Sequence, residues 1–531
     1  MSEHASFTLK KRLLVSALSV IACYIPVHGY RFFHLLASGD GLLQLYQNDA
    51  AWEIALGRFV QPFVVLFRGG YTTPFLINLL ALCWLCLAVF FTTLYLDLQK
   101  TLSVALVAAF FVINRTFVML NGSYLPWADS YVFALLLSVA GLFLASGHSA
   151  NRVIAGALCF AASIGLYQAY ICVALGLCAM RLILDLAQRA EKKDILQRLT
   201  GEGAAFALSA ALYLACWKGL QAALNIWSAD GYNGMAGIGG TDGAGASGLL
   251  QTVYGNVLRY FTDPVRIRVM TFRGMDLGII WTVLFRVANL CMLGLLVVYL
   301  VKLNRRHNTS VSSRVLQAVL FLLSPLCVNL VCLLSGGMQH VLMVYAFQLY
   351  YVFVVVLHER KAHAAPGEAQ KQEAEKQETG KRLRARVFAA LPGCFAFVIL
   401  WPQVIYANQI YLKKTLQEEA AQTLIVRVIE EIEGMEGYVP GETAVFFAGS
   451  LERNPYIADN DLLTDEMPWG TMRTAFTYGG MEAKWLAAFE HMRLRTADAL
   501  PDGEQADDMP CFPVKGSIRY AGEVLVVRLS E

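Results

Sequence analysis

The sequence has few charged residues: Asp, Glu, Lys and Arg make up 16% of its 531 residues. A soluble domain typically has about 25%, so the chain does not have the composition of several soluble domains. Its formal net charge of +3 is too small to indicate nucleic-acid binding as a main activity. Hydrophobic residues make up 57%, and this excess excludes intrinsic disorder, collagen-like fibres and coiled coils.

The chain also lacks the usual cysteine and glycine patterns of metal and nucleotide sites. None of its twelve cysteines has the spacing of a zinc finger with histidine nearby, and all except Cys511 lie in apolar segments. We therefore expect no disulfide framework. The Gly-rich stretch 231–248 is not followed by Gly-Lys-Ser/Thr and is not a phosphate-binding loop. A flexible linker is favoured there over a lid that orders on substrate binding.

What the chain has is a series of apolar stretches of about 20 residues, the length of a helix that crosses a bilayer. The stretch from Val153 to Leu186 is too long for one span. Because the basic residues on both of its sides should face the cytoplasm, we divide it into two short spans that turn at Gly165 to Gln168. The predicted fold is a polytopic α-helical membrane protein with about eleven transmembrane helices: residues 13–33, 75–94, 102–120, 127–145, the two halves of 153–186, 204–227, 277–300, 315–334, 341–356 and 387–406.

The basic residues set the predicted orientation. They cluster in the loops that this count places in the cytoplasm, together with the N-terminus, which we interpret as a retained signal anchor. We therefore predict a transmembrane domain, residues 1–406, and a small extracytoplasmic α+β domain, residues 407–531. In this tail, an apolar helical pattern precedes a buried strand, Thr443 to Ala448, and a hairpin, Ile518 to Leu529. The tail shows no catalytic motif, so an accessory role is favoured over glycan binding.

The first outward loop, about Leu36 to Thr73, has the highest concentration of polar residues outside the membrane. From Ala50 to Phe67, apolar and polar residues alternate at helical spacing. This pattern predicts one amphipathic helix lying in the membrane interface above a site. The charged residues of this loop are Asp40, Asp49, Glu53, Arg58 and Arg68. For each of them, the alternative interpretation is an exposed side chain that is simply solvated.

Four segments of the chain resemble the type II Gtr glucosyltransferases, membrane enzymes of the GT-C class. They are Gly39-Asp40, Ala51 to Phe59, Arg68-Gly69 and Gly165 to Tyr170. The resemblance implies a GT-C-like fold in the inner (plasma) membrane of a bacterium. It also implies transfer of a sugar, usually glucose, from a polyprenyl-phosphate carrier to a cell-surface glycan on the outer face. The partners would be this donor, the glycan acceptor and membrane lipids, with no nucleic acid.

The implied reaction gives the candidate residues their roles. An acceptor hydroxyl needs a base to take its proton, and a departing phosphate needs cations. Asp40 is the first candidate for the base, with Asp49 and Glu53 as alternatives. Arg58 would bind the carrier phosphate or, alternatively, a lipid headgroup. The other candidate substrate-binding residues are Arg68, Arg115, Tyr167, Gln168 and Arg286.

Three questions stay open at this point. Arg115 and Asp129 lie near the outer ends of consecutive spans, and an ion pair between them is favoured over a phosphate contact by Arg115. No cofactor follows from the sequence, although a loop acid could share a divalent cation with the phosphate. The alternative function is a flippase or transporter of a lipid-linked glycan, which would use the same cations without a base. A structural scaffold would leave the intramembrane charges unexplained.

Overall fold

A computed structural model gives the fold of the protein. It describes residues 8–36, 39–45, 49–147, 149–229, 246–267, 271–272, 275–276, 278–362, 379–451, 454–456, 481–489, 492 and 494–530. Most of the Gly-rich stretch 231–248 and residues 363–378 lie outside these ranges.

The described part of the chain is mostly α-helical. Eight of its helices are long and apolar enough to cross a membrane, or nine if the bent pair Thr101–Val112 and Arg115–Ser123 forms one span. The protein is therefore a polytopic membrane protein. The helices are α1 Leu9–His28, α2 Gly39–Leu43, α3 Ala50–Ala55, α4 Gln61–Phe67, α5 Pro74–Tyr95, α6 Thr101–Val112, α7 Arg115–Ser123, α8 Ala128–Ala145, α9 Ala150–Leu166, α10 Ile171–Gln188, α11 Lys192–Ala223, α12 Ala246–Thr262, α13 Gly278–Arg306, α14 Val311–Val328, α15 Leu330–Leu334, α16 Leu349–Ala362, α17 Thr379–Glu433 and α18 Met481–Phe489.

Two of the predicted spans differ from a simple membrane helix. α9 has only 17 residues. The candidate span 341–356 starts with two 3₁₀ helices and continues into the 14 residues of α16, most of whose described side chains are buried. The predicted turn between the halves of 153–186 is confirmed as a helix break, because α9 ends at Leu166 and a 3₁₀ helix leads into α10. The count of eleven spans stays a prediction.

The stretch 102–120 is broken rather than straight. α6 and α7 meet at an angle of 46°. Between them, Asn114 leaves the helical conformation, and its side-chain oxygen accepts a hydrogen bond from the backbone N–H of Phe117 at 3.0 Å. This N-cap starts a new helix in a new direction. Because of this bend, α7, which begins at Arg115, does not continue along the axis of α6.

The C-terminal region combines one very long helix with a small sheet. α17 has 55 residues and runs without interruption from the predicted last span into the tail. The predicted strand and hairpin are confirmed as β3 Ala444–Ala448, β5 Ile518–Ala521 and β6 Val524–Arg528. With β4 Arg495–Thr496 they form a sheet in the order β4-β3-β6-β5, in which β3 is parallel to β4 and β6. A separate two-stranded ribbon, β1 Thr271–Phe272 and β2 Met275–Asp276, precedes α13.

Two of the three hydrophobic clusters among the described residues organise these elements. The larger one joins the membrane helices and includes Ile399 to Tyr411 of α17. The smaller one, called here the C-terminal cluster, joins the last part of α17, the sheet and α18 around the fully buried Trp485. Leu42 of α2 also belongs to it. The C-terminal cluster is therefore built from both ends of the sequence.

Candidate functional site

The candidate site forms where two of the sequence motifs meet. The segment Leu56 to Val60, between α3 and α4, packs against the break between α9 and α10. The backbone N–H of Val60 donates to the carbonyl of Gly165 at 2.9 Å, and Gln168 Nε2 donates to the carbonyl of Leu56 at 2.9 Å. A Cβ atom at Gly165 would lie 2.8 Å from the Val60 side chain. The motifs that are distant in sequence therefore form one structural unit.

The predicted single amphipathic helix from Ala50 to Phe67 is wrong. The structure has two short helices, α3 and α4, separated by a turn at Gly57. Gly57 has a φ of +79°, which glycine adopts far more readily than other residues, and a Cβ there would overlap the Tyr213 hydroxyl. The turn directs Arg58 and Phe59 towards α9 and α10.

Glu53 is the acid at the centre of this unit. It is 1% exposed, and its Oε1 accepts a hydrogen bond from Trp127 Nε1 at 2.7 Å. Its Oε2 lies 3.6 Å from Arg58 Nη1. Burial raises the pKa of Glu53, while the positive charge of Arg58 and the Trp127 hydrogen bond oppose that rise. A buried carboxyl and a guanidinium are thus held together, and Arg58 also lies over the Tyr167 ring, 5.2 Å from its centroid.

Arg68 and Asp129 form a second buried pair beside the first. Arg68 Nε lies 3.5 Å from Asp129 Oδ2, and Arg68 Nη2 donates to the carbonyl of Pro126 at 2.6 Å. The predicted ion pair between Arg115 and Asp129 is therefore wrong. The cause is the bend at Asn114, which starts α7 in a new direction and turns Arg115 towards α12.

Aromatic rings line the same region. Tyr131 and Tyr167 stack with their centroids 4.1 Å apart, and Tyr124 lies edge-on to His340 at 5.7 Å. Burial, followed by the positive charge of Arg58, lowers the pKa of His340. A neutral imidazole and several aromatic faces are suited to contact with a sugar ring, which presents apolar C–H groups as well as hydroxyls.

The remaining predicted arginines lie elsewhere, at the C-terminal end of α12. Arg115 donates to the carbonyl of Asp263 at 2.6 Å, and Arg286 donates to the carbonyl of Thr262 at 2.8 Å. Cations are favourable at this negative end of a helix dipole. Sequence reasoning missed α12, although its apolar residues recur at helical spacing. They are Leu249, Leu250, Val253, Tyr254, Val257, Leu258 and Phe261.

α12 forms one wall of a large apolar cavity. The cavity has a volume of about 650 Å³ and lies between α12, α13, α14 and α16. Its lining includes Leu258, Leu293 and Tyr350, and Arg286 is its one charged lining residue in the described chain. Asn256, on α12, donates to Gln339 at 3.0 Å, and Gln339 immediately precedes His340. α12 therefore contacts both the cavity and the segment that contains His340.

The two loop aspartates have different positions. Asp49 is exposed, and its side chain caps α3 by accepting from the backbone N–H of Trp52 at 3.0 Å. Asp40 lies in the five-residue helix α2. Its side chain lies outside the described part of the structure, so its predicted role as a base stays a prediction.

Two residues at the site had no clear signal in the sequence. Trp127 is only the first residue of a predicted span, and His340 only precedes one. Their roles depend on tertiary contacts with Glu53 and Arg58. Within the described ranges, no three His, Cys, Asp or Glu side chains come together to hold a metal ion.

Comparisons with known proteins give one family. A family model described as Glucosyl transferase GtrII matches residues 29–357, which is more than half of the chain. No curated protein and no solved structure matches it. The matched range includes the paired motifs, the Glu53 and Arg68 pairs and all residues that line the cavity. The chain therefore belongs to the glucosyl transferase GtrII family of membrane glycosyltransferases.

Proposed function

We propose that the protein transfers a glucosyl group from a polyprenyl-phosphate carrier to a cell-surface glycan. The family match supports glucosyl transfer and a sugar donor. The carrier, the acceptor, a GT-C-like architecture and a reaction on the extracytoplasmic face of a bacterial inner membrane are parts of the proposal. The apolar cavity with Arg286 in its lining is the observation that supports the carrier most strongly.

The cavity matches the chemistry of a prenyl phosphate. Its volume of about 650 Å³ lies within the usual range of ligand pockets, roughly 300–1,000 Å³. An isoprenoid chain would gain about 0.8 kcal/mol for each buried CH₂ group. Arg286 already uses its Nε on the carbonyl of Thr262, and its planar guanidinium has further donors that suit a phosphate.

The reaction then follows from the donor. The hydroxyl oxygen of the acceptor attacks the anomeric carbon of glucose and forms the new glycosidic bond. The bond between that carbon and the phosphate oxygen breaks, and its electron pair leaves with the polyprenyl phosphate. The proton of the acceptor hydroxyl passes to a carboxylate and from there to water. Nearby cations stabilise the negative charge on the leaving phosphate.

Asp40 is the proposed base, and the contacts of the other two acids support this choice. Asp49 is occupied as the cap of α3. Glu53 is buried, hydrogen-bonded to Trp127 and paired with Arg58. In the proposed reaction, Glu53 holds Arg58 in position over the Tyr167 ring. Arg58 and Tyr167 contact the glucosyl group, while Arg286 contacts the phosphate of the carrier.

A substitution in the cavity tests the donor. We expect Leu293→Trp to raise the KM for a long-chain polyprenyl-phosphate glucose about tenfold, because the indole would occupy space that the tail needs. The KM for a donor with two isoprene units should stay within a factor of two. Val297→Trp is the matched control, since Val297 is exposed on the same helix and does not line the cavity. Sugar transfer by the purified protein is measured with both donors.

Equal KM values for the two chain lengths in wild-type protein and in Leu293→Trp would contradict the assignment of the cavity. The same preparation in liposomes tests the alternative function. Movement of the carrier headgroup across the bilayer without a glycosidic product would show a flippase.

A further inference from the structure

The five-residue helix α2, which contains Asp40, packs against the C-terminal region. Leu42 is 4% exposed and belongs to the C-terminal cluster with Trp485 and Leu486 of α18. Among the described residues of this cluster, Leu42 is the one buried member that does not come from residues 421–529. The side chain that follows Asp40 by two positions is therefore buried in the opposite end of the chain.

A second set of contacts holds the other end of the same segment. Thr72, just before α5, donates its backbone N–H to the carbonyl of Leu45 at 3.1 Å. Its hydroxyl donates to the carbonyl of Gln44 at 2.7 Å. The segment from Gly41 to Leu45 is thus attached to the membrane helices on one side and to the C-terminal region on the other.

Such a short helix depends on these attachments. Isolated helices of fewer than about 12 residues are marginal in water, because the first turn fixes several residues for a single hydrogen bond. The position of α2 is therefore determined by its tertiary contacts. Catalytic groups must be held to within about 0.5 Å of their productive geometry, and an error of about 1 Å can reduce the rate by roughly 10²-fold.

We propose that Leu42 is a positioning residue and that the C-terminal region, through α18, places the loop acid Asp40 for the reaction. This inference depends on the proposed function, in which Asp40 is the base. The C-terminal region is then a structural part of the active site, although residues 407–531 contain no catalytic motif of their own.

Two neighbouring leucines provide the test. Leu42→Ala removes the buried side chain, whereas Leu43→Ala changes a side chain on the same helix that is 48% exposed. We expect Leu42→Ala to lower kcat by 10-fold to 100-fold while the KM for the donor stays within a factor of two. Leu42→Met, which refills most of the volume, should restore kcat to within threefold of wild type. Leu43→Ala should behave as wild type.

Hydrogen–deuterium exchange of the full-length protein separates this role from a general loss of fold. In Leu42→Ala, amide exchange should increase in residues 41–45 and, reciprocally, in residues 481–489, while the membrane helices keep their protection. An unchanged rate in residues 481–489, or a kcat equal to that of Leu43→Ala, would overturn the proposal.

Asp40→Asn, measured in parallel, distinguishes this inference from the proposed function. If Asp40→Asn is inactive and Leu42→Ala turns over as wild type, the positioning role is wrong and the proposed base stands. If Asp40→Asn keeps wild-type turnover, the base assignment falls, and the catalytic part of the positioning role falls with it.

Discussion

Two buried ionic clusters lie towards opposite ends of α10, and they are built differently. The Arg198 cluster consists of Arg198, Asp185, Glu202 and Tyr95. Arg198 donates to both carboxylate oxygens of Glu202, at 3.0 and 2.9 Å, to Asp185 at 2.8 Å and to the Tyr95 hydroxyl at 3.1 Å. The Glu53 cluster consists of the Glu53–Arg58 and Arg68–Asp129 pairs, whose shortest N–O distances are 3.6 and 3.5 Å.

The hydrogen bonding of the Arg198 cluster and the Glu53 cluster differs as well. Within the described structure, buried polar atoms of Arg68, Asp129 and the neighbouring Gln61 make no hydrogen bond, whereas the carboxylates of the Arg198 cluster are all engaged. Buried networks in which every polar group is hydrogen-bonded rigidify a fold. Buried polar groups without a hydrogen bond are uncommon in native proteins and call for an explanation. We infer that the Arg198 cluster stabilises helix packing and, under the proposed function, that the Glu53 cluster serves the reaction.

The largest expected effect is on stability at the Arg198 cluster. Arg198→Met would leave Asp185 and Glu202 without their shared partner, and removing one member of a buried ion pair costs about 3–5 kcal/mol. We expect a clear fall in the thermal unfolding temperature of the protein in detergent. Lys193→Met, an exposed change on the same helix, is the control. A destabilised Lys193→Met, or a fully stable Arg198→Met, would remove the contrast between the clusters.

The next effect is on activity at the Glu53 cluster. Glu53→Gln keeps an acceptor for Trp127 but removes the charge that holds Arg58. We expect sugar transfer to fall about 10²-fold, which corresponds to about 2.7 kcal/mol of transition-state stabilisation, with an unfolding temperature close to that of wild type. Asp49→Asn is the control, since asparagine caps a helix as well as aspartate does. A Glu53→Gln variant that unfolds as readily as Arg198→Met would give both clusters the same structural role.

The smallest effect is a pH dependence at His340. Its pKa is lowered in the folded protein, so the unfolded chain binds the proton first as the pH falls. The contribution of His340 to stability is therefore complete above the usual histidine pKa of about 6.5 and decreases below it, by at most about 1.4 kcal/mol per pH unit. We expect His340→Gln to reduce the loss of thermal stability between about pH 7 and pH 5. An unchanged pH dependence in this variant would mean that His340 does not contribute to it.

The sequence contains enough information for the main elements of the site, but not for its charge pairs. The motifs Ala51 to Phe59 and Gly165 to Tyr170 could be recognised, and the structure brings them together. The partner of Asp129 could not be predicted, because it depends on the 46° bend at Asn114. No local pattern distinguishes an N-cap asparagine inside an apolar stretch from an asparagine that simply faces another helix.

The turn at Gly57 shows a similar limit. The alternating pattern from Ala50 to Phe67 is continuous through this glycine, so helical spacing alone predicts one helix. The chain leaves the helix at the positive φ of Gly57, and Tyr213 of α11, a residue distant in sequence, occupies the space that a side chain at position 57 would need. In contrast, the strand and hairpin of the tail were predictable, because their alternation is local and their turn falls at Gly522-Glu523.

The length of α17 has a mechanical consequence. Its 55 residues span about 80 Å at 1.5 Å per residue, far more than the roughly 30 Å hydrocarbon layer of a bilayer. The part beyond Tyr406 is about 40 Å long, so a tilt of about 10° within the lipid would displace Glu433 by roughly 7 Å. A mismatch between helix length and bilayer thickness is accommodated partly by tilting of the helix. Lipids of different chain length should therefore alter the rate of this protein even where they contact no residue of the site.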